Sequence, residues 1–204
     1  MIAGQPVLRR LKAETAALHR EAETYVHVLD PTATLAEYRT YLRRMHGYHD
    51  PVERRLATHA GLVGAGFDPA RCEKARWLEH DLDALLDPAP RTTCHAIPAI
   101  ADTATAIGVA YVLEGSMLGG RYVLSKLPPA IAEVRGRATR FLEGYGTETA
   151  ARWRTFGEIV ERVIEHAPDA DARTDAAIAG ARATFRTLID WLALDDAMPI
   201  AWTA

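Results

Sequence analysis

The chain has 204 residues, 49% hydrophobic and 25% charged, which is ordinary globular composition with enough apolar material for one large core. Its 24 basic and 27 acidic side chains are mixed along the chain for a formal net charge of −3, which excludes the basic stripe of a nucleic-acid binder. No apolar run approaches the roughly 20 residues that span a bilayer, Cys72 and Cys94 form neither a CxxC pair nor a disulfide framework, and the opening MIAGQPVLRRLKAET turns polar at once, so a soluble cytoplasmic protein without a secretory signal is expected.

In chain order, the first helix is predicted over about Pro6–Thr24. Leu8, Leu11, Thr15, Leu18 and Ala22 fall at three- and four-residue spacing, and Pro6 suits a first turn. After the Asp30-Pro31-Thr32 loop, Thr34 with Glu37 three positions on reads as a capping box. The second helix runs on to about His59, with Leu35, Tyr38, Leu42, Met45, Val52 and Leu56 on one face and a bend expected at Pro51. A glycine loop over Gly61–Gly66 precedes a helix over Ala70–Leu86, and Pro88–Pro98 is a loop.

A long helical pattern follows from Pro98 to Leu127, with Ile100, Ala104, Ile107 and Tyr111 aligned and Pro128-Pro129 as its stop. Two more helices cover Ala130–Leu142 and Glu148–His166. The last, Ala172–Leu194, carries Ile178, Ala181, Phe185, Leu188 and Leu192. No sustained period-two alternation marks a strand, so residues 1–204 read as one all-α domain, a bundle of about seven helices.

Three features carry chemistry. Gly115, Gly119 and Gly120 lie inside the long helix, where each glycine costs about 1 kcal/mol relative to alanine. Either small residues let two helices cross closely, or the backbone must approach a flat ligand; on the residues alone, the helix crossing is favoured. His19 edges the apolar stripe of the first helix, where a histidine is more often a half-buried side chain than a ligand. Glu23, four residues on, could orient it through water. His46, His49 and Glu53 have metal-like spacing and Glu79-His80-Asp81 could add donors, yet no second Glu-x-x-His copy exists and a polar helix flank is favoured.

The segment Leu11-Lys12-Ala13-Glu14-Thr15-Ala16-Ala17-Leu18-His19-Arg20-Glu21-Ala22-Glu23 resembles the proximal helix of heme oxygenases. Glu114-Gly115-Ser116-Met117-Leu118-Gly119-Gly120 resembles the distal helix of that family's bacterial branch, the type associated with bacteriophytochromes. Tyr38-x-x-Tyr41-Leu42 and Pro51-Val52-Glu53 are similar to the family's second helix, with weaker echoes at Arg152-Trp153-Arg154 and Thr184-Phe185. The two main motifs stand about 95 residues apart, as the helix lengths of a bundle would place them.

The resemblance implies a heme-oxygenase-like bundle with heme between the first helix and a kinked glycine-rich helix. His19 would be the iron ligand, backed by Thr15 and Glu23. Gly115, Gly119 and Gly120 would bring backbone close to the ring from the other side. Lys12, Arg154 and Tyr111 would reach the propionates, and Phe185 would add an apolar contact. Ser116 stands where eukaryotic members have an aspartate that anchors distal water.

The implied reaction is cleavage of heme, at once cofactor and substrate, to biliverdin, carbon monoxide and ferrous iron. Dioxygen and an external electron donor (a ferredoxin, a reductase or a small reductant) would be co-substrates, and a bacteriophytochrome could accept the biliverdin. The alternatives are a heme carrier or sensor, and a di-iron or thiamin-degrading enzyme on the same bundle. The last would need an activated cysteine, which neither Cys72 nor Cys94 resembles.

Overall fold

Leu8, Leu11, Thr15 and Ala22 form the buried face of the first helix, α1 (Pro6–Glu23), in the computed structural model, which describes residues 6–194. Residues 1–5 and 195–204, the two ends of the single domain expected over 1–204, lie outside the described residues. Every longer regular element among those described is helical, and no helix is long and apolar enough to cross a membrane.

α2 (Leu35–Ala57) begins at the capping box read from the sequence: Glu37 N donates to Thr34 Oγ1 at 3.2 Å, and Thr34 N donates to Glu37 Oε2 at 2.6 Å. The helix continues through Pro51. Residues expected as a glycine loop make one short helix, α3 (Ala60–Gly64), because the His59 ring accepts from Leu62 N at 3.1 Å and caps the turn. The next helix is shorter than its pattern: a 3₁₀ turn, Pro69–Arg71, precedes α4 (Lys74–Ala84).

α5 (Thr103–Lys126) starts five residues later than Pro98, since Asp102 takes the N-cap and accepts from Thr105 N at 2.7 Å. It runs uninterrupted through Gly115, Gly119 and Gly120. The expected helix over Ala130–Leu142 is two single turns, α6 (Pro129–Ala132) and α7 (Arg140–Glu143). Gly136, at φ +75°, breaks the chain between them. α8 (Thr149–Val160) passes into a π turn, Glu161–Glu165, and α9 (Ala170–Leu192) closes the bundle.

α9 is the element on which the site is assembled, because both α1 and α5 pack against it. The α5–α9 crossing is backbone on backbone: a Cβ at Gly108 would strike the Ala177 carbonyl, and one at Gly180 would lie 2.5 Å from the Thr105 carbonyl. Around this seam Leu11, Tyr48, Ile107, Phe156 and Phe185 share one apolar cluster, while Tyr38, Leu42, Leu78, Met117 and Phe141 form a second. Each such fully buried side chain contributes on the order of 1.5–3 kcal/mol. The two buried tyrosines keep their hydroxyls satisfied at 2.8 Å, Tyr48 donating to Thr184 O and Tyr38 to Ala138 O.

Candidate functional site

Lys12, Thr15, His19 and Glu23 recur at helical spacing, so α1 carries them as one row along the edge of its buried face, with Thr15 inside it. The His19 side chain is 57% exposed, and its Nδ1 lies 3.5 Å from Glu23 Oε1. Phe185 of α9 meets the imidazole edge-on, with ring centroids 5.8 Å apart. The ring is thus held on two sides while its other nitrogen is left for a ligand. Thr15 is buried and donates to Leu11 O at 2.7 Å, with its hydroxyl beside the Tyr111 phenol. Burial pushes that phenol's pKa up, and the Thr15 hydroxyl partly offsets the rise. This contact joins α1 to α5.

On α5, Tyr111, Gly115 and Gly119 follow one another at four-residue spacing and so share a face. Tyr111 packs on Trp153 of α8 with centroids 5.9 Å apart. A Cβ at Gly115 would sit 3.8 Å from the same indole, and one at Gly119 would meet nothing within 4 Å. Neither glycine is required by a neighbouring helix.

Gly120 differs: it is buried, and a Cβ there would come 2.5 Å from the Leu142 carbonyl. Its missing side chain is accounted for by the approach of α7, the helix-crossing role weighed for these glycines. Ser116 is exposed and its hydroxyl donates to Leu113 O at 2.9 Å within its own helix. Lys12 and Arg154 are exposed and have no ion-pair partner among the described residues.

The His46, His49 and Glu53 trio does not converge, and no group of three metal-ligating side chains stands among the described residues. Glu53 instead caps α4, its oxygens accepting from Lys74 N at 3.1 Å and Ala75 N at 2.9 Å. Asp81 does the same for α7, accepting from Arg140 N at 2.8 Å and Phe141 N at 2.9 Å. His49 is 3% exposed against Phe141; burial, with the nearby Lys74 charge, drives its pKa down to about 3. Burial and the neighbouring Glu53 push the Cys72 thiol up to about 12, the opposite of an activated nucleophile.

Two things escaped the sequence pattern. Trp153 entered only as an echo, yet it faces both Tyr111 and Gly115. Behind the glycine face, Arg71, Lys74 and Glu114 form a buried ionic cluster, with Arg71 Nη1 2.6 Å and Lys74 Nζ 2.9 Å from the Glu114 carboxylate. Charged residues spread over 44 positions leave no local signature of meeting, although a glutamate on the apolar side of a helix is itself a signal.

The sequence model of the family described as heme oxygenase matches residues 5–193. A curated protein named heme oxygenase, from Xanthomonas campestris pv. campestris (strain 8004), is 34% identical over 175 residues, covering 82% of this chain and 87% of that one. A solved structure of the NO- and CO-bound heme oxygenase from Neisseria meningitidis aligns with a TM-score of 0.69 at 21% identity. That match covers 96% of this chain and 97% of the other, and it shows a shared fold.

Proposed function

This chain belongs to the heme oxygenase family, and we propose on that footing that it cleaves heme to biliverdin, carbon monoxide and ferrous iron, using dioxygen and an external reductant. The donor set fits heme. An exposed imidazole with Nδ1 turned to a carboxylate suits Nε2 ligation of iron, and the Gly115–Gly119 face can lie on a planar ring because no neighbour of this chain needs that space. Heme, when bound, supplies both the oxygen-activating iron and the ring that is opened.

Each residue has a physical task in this reading. Glu23 holds a proton on His19 Nδ1 and so fixes the ring's tautomer and strengthens Nε2 as a donor. Phe185 stops the imidazole from rotating, and Thr15 sets its hydroxyl beside Tyr111 where α1 meets α5. Lys12 and Arg154, both free to reach outward, bind the propionates by charge-assisted hydrogen bonds, with Tyr111 as a further contact. Gly115 and Gly119 exclude bulk from the distal side. Ser116 Oγ, already donating to Leu113 O, keeps its lone pairs to accept from a distal water. Gly120 contributes by seating α5 on α7.

We place the whole chain, 1–204, in one domain acting in the cytoplasm. Its electron donor is a ferredoxin, a reductase or a small reductant, and a bacteriophytochrome is the candidate acceptor of biliverdin. The observation that carries the proposal is the exposed His19 ring, held by Glu23 and Phe185 within a chain that also presents an unobstructed glycine face. Mixing the purified protein with hemin and a reductant in air tests it. Loss of the Soret band with growth of biliverdin absorbance is expected, whereas a stable Soret band under competent reduction would mark a heme carrier.

A further inference from the structure

Glu114 immediately precedes Gly115 on α5, and successive residues of a helix point about 100° apart, so its side chain enters the protein while the glycine face looks out. The carboxylate is 2% exposed and receives three donors: Arg71 Nη1 at 2.6 Å, Lys74 Nζ at 2.9 Å and the Tyr145 hydroxyl at 2.9 Å. Arg71 has a second task. Its Nη2 donates to the Arg152 carbonyl at 3.0 Å, one residue before Trp153. A single guanidinium therefore ties α5 at Glu114 to α8 at Arg152, and those are the neighbours of the Gly115–Trp153 contact. Lys74 Nζ also donates to Arg71 O at 2.8 Å and lies 3.7 Å from Glu53 Oε1, which closes the cluster.

Such a cluster is a poor way to gain stability. Burying each ion costs several kcal/mol, and replacement by apolar side chains is often neutral or favourable. What it supplies is direction, since charge-assisted bonds at these distances fix the angle at which a helix sits. The glycine face itself cannot supply this: Gly115 and Gly119 have no side chains with which to hold the helix from the distal side.

We propose that Arg71 and Glu114 are positioning residues for the heme reaction: together they set the rotation of α5 and its spacing from α8, and so the height of the Gly115–Gly119 backbone over the ring. This rests on the heme oxygenase reading. Neither residue touches heme; they act through the helix that does.

The test is the paired variant Arg71→Met with Glu114→Met, which leaves the opposite charges of Lys74 and Glu53 together. Glu114→Gln serves as a second variant should the pair fail to fold. In the heme-free protein, amide exchange at residues 115–119 should quicken by about tenfold or more while α9 stays protected. In the reduced, CO-bound protein, the C–O stretching band should broaden or shift, with the proximal imidazole spectrum and hemin affinity close to the parent's. A merely structural role would instead raise exchange throughout the bundle and leave the CO band of the folded fraction unchanged, and that result overturns the proposal. So does unchanged exchange at 115–119 in a folded variant. If the parent itself takes up no hemin through His19, the functional reading fails, whereas the exchange experiment still decides whether Arg71 and Glu114 position α5.

Discussion

Nδ1 of His19 lies 3.5 Å from Oε1 of Glu23, one turn further along α1. A carboxylate at that nitrogen makes Nε2 a stronger donor. Glu23→Gln should therefore keep hemin bound with an imidazole-type spectrum, lower the iron–histidine stretching frequency and slow turnover by roughly tenfold. His19→Ala should lose the imidazole spectrum altogether and regain it when free imidazole is added. Resonance Raman and optical titration read both; an unchanged histidine spectrum in His19→Ala would move the ligand elsewhere.

Adjacent glycines on α5 should respond in opposite ways. Gly119 faces open space, so Gly119→Val should leave the melting temperature within a few degrees of the parent while single-turnover heme cleavage falls sharply. Gly120 backs onto the Leu142 carbonyl, so Gly120→Val should cost about 1–3 kcal/mol of stability. Its folded fraction should still turn heme over. Thermal unfolding and single-turnover absorbance, measured on both variants, separate the two roles.

The exposed cations Lys12 and Arg154 should govern the in-plane rotation of heme more than its affinity. An exposed charge pair is typically worth less than about 1 kcal/mol. Lys12→Ala with Arg154→Ala should therefore weaken hemin binding modestly while broadening a single dominant biliverdin isomer, expected to be α, into a mixture. Chromatography of single-turnover products checks this. One unchanged isomer would hand the orientation to apolar contacts such as Phe185.

His49 sets a pH dependence of stability. Its folded pKa of about 3 lies below the ordinary value near 6.5, so between those values the unfolded chain binds a proton that the folded chain does not. Stability from this group is full above about pH 6.5 and falls as pH drops toward 3, by at most about 1.4 kcal/mol per pH unit. Urea unfolding of the parent and His49→Leu at pH 7, 6, 5 and 4 should show the difference shifting toward the variant as pH falls. Parallel curves would mean that His49 is protonated in the folded protein.

Much of this fold was legible because the forces involved are local. The Thr34–Glu37 capping box is a matter of three residues, and it forms with both of its hydrogen bonds. The stripe from Leu8 to Ala22 is buried as its spacing requires, with Leu18 at its edge. Mistakes of extent came where one residue overrides periodicity: Asp102 fixes the start of α5 against the apolar pattern from Ile100, and Gly136 divides what reads as one helix. As candidates, His19, Glu23, Thr15 and Tyr111 come from the family resemblance more than from pattern. Glu53 could not be placed by spacing, because its partners are the backbone amides of Lys74 and Ala75 on another helix. The same is true of the Arg71–Glu114 pair, which depends on how two helices meet in space.

The chain has three lysines, Lys12, Lys74 and Lys126, and only the first and last are exposed. The Lys74 amine, on a side chain 2% exposed and enclosed by Glu114, Tyr145 and the Arg71 carbonyl, is out of reach of an acylating reagent in the native protein. It is also held protonated: burial alone would lower its pKa, but Glu114, Tyr145 and Glu53 together outweigh this and raise it, which denies the reagent a free electron pair as well. Acetylation at this one position therefore works as a gauge. Lys12 and Lys126 label at the rate of the chemistry, while Lys74 labels at that rate scaled down by the fraction of time the bundle is open. Mass spectrometry of a timed reaction would read that open fraction from the unmodified sequence, with no probe introduced.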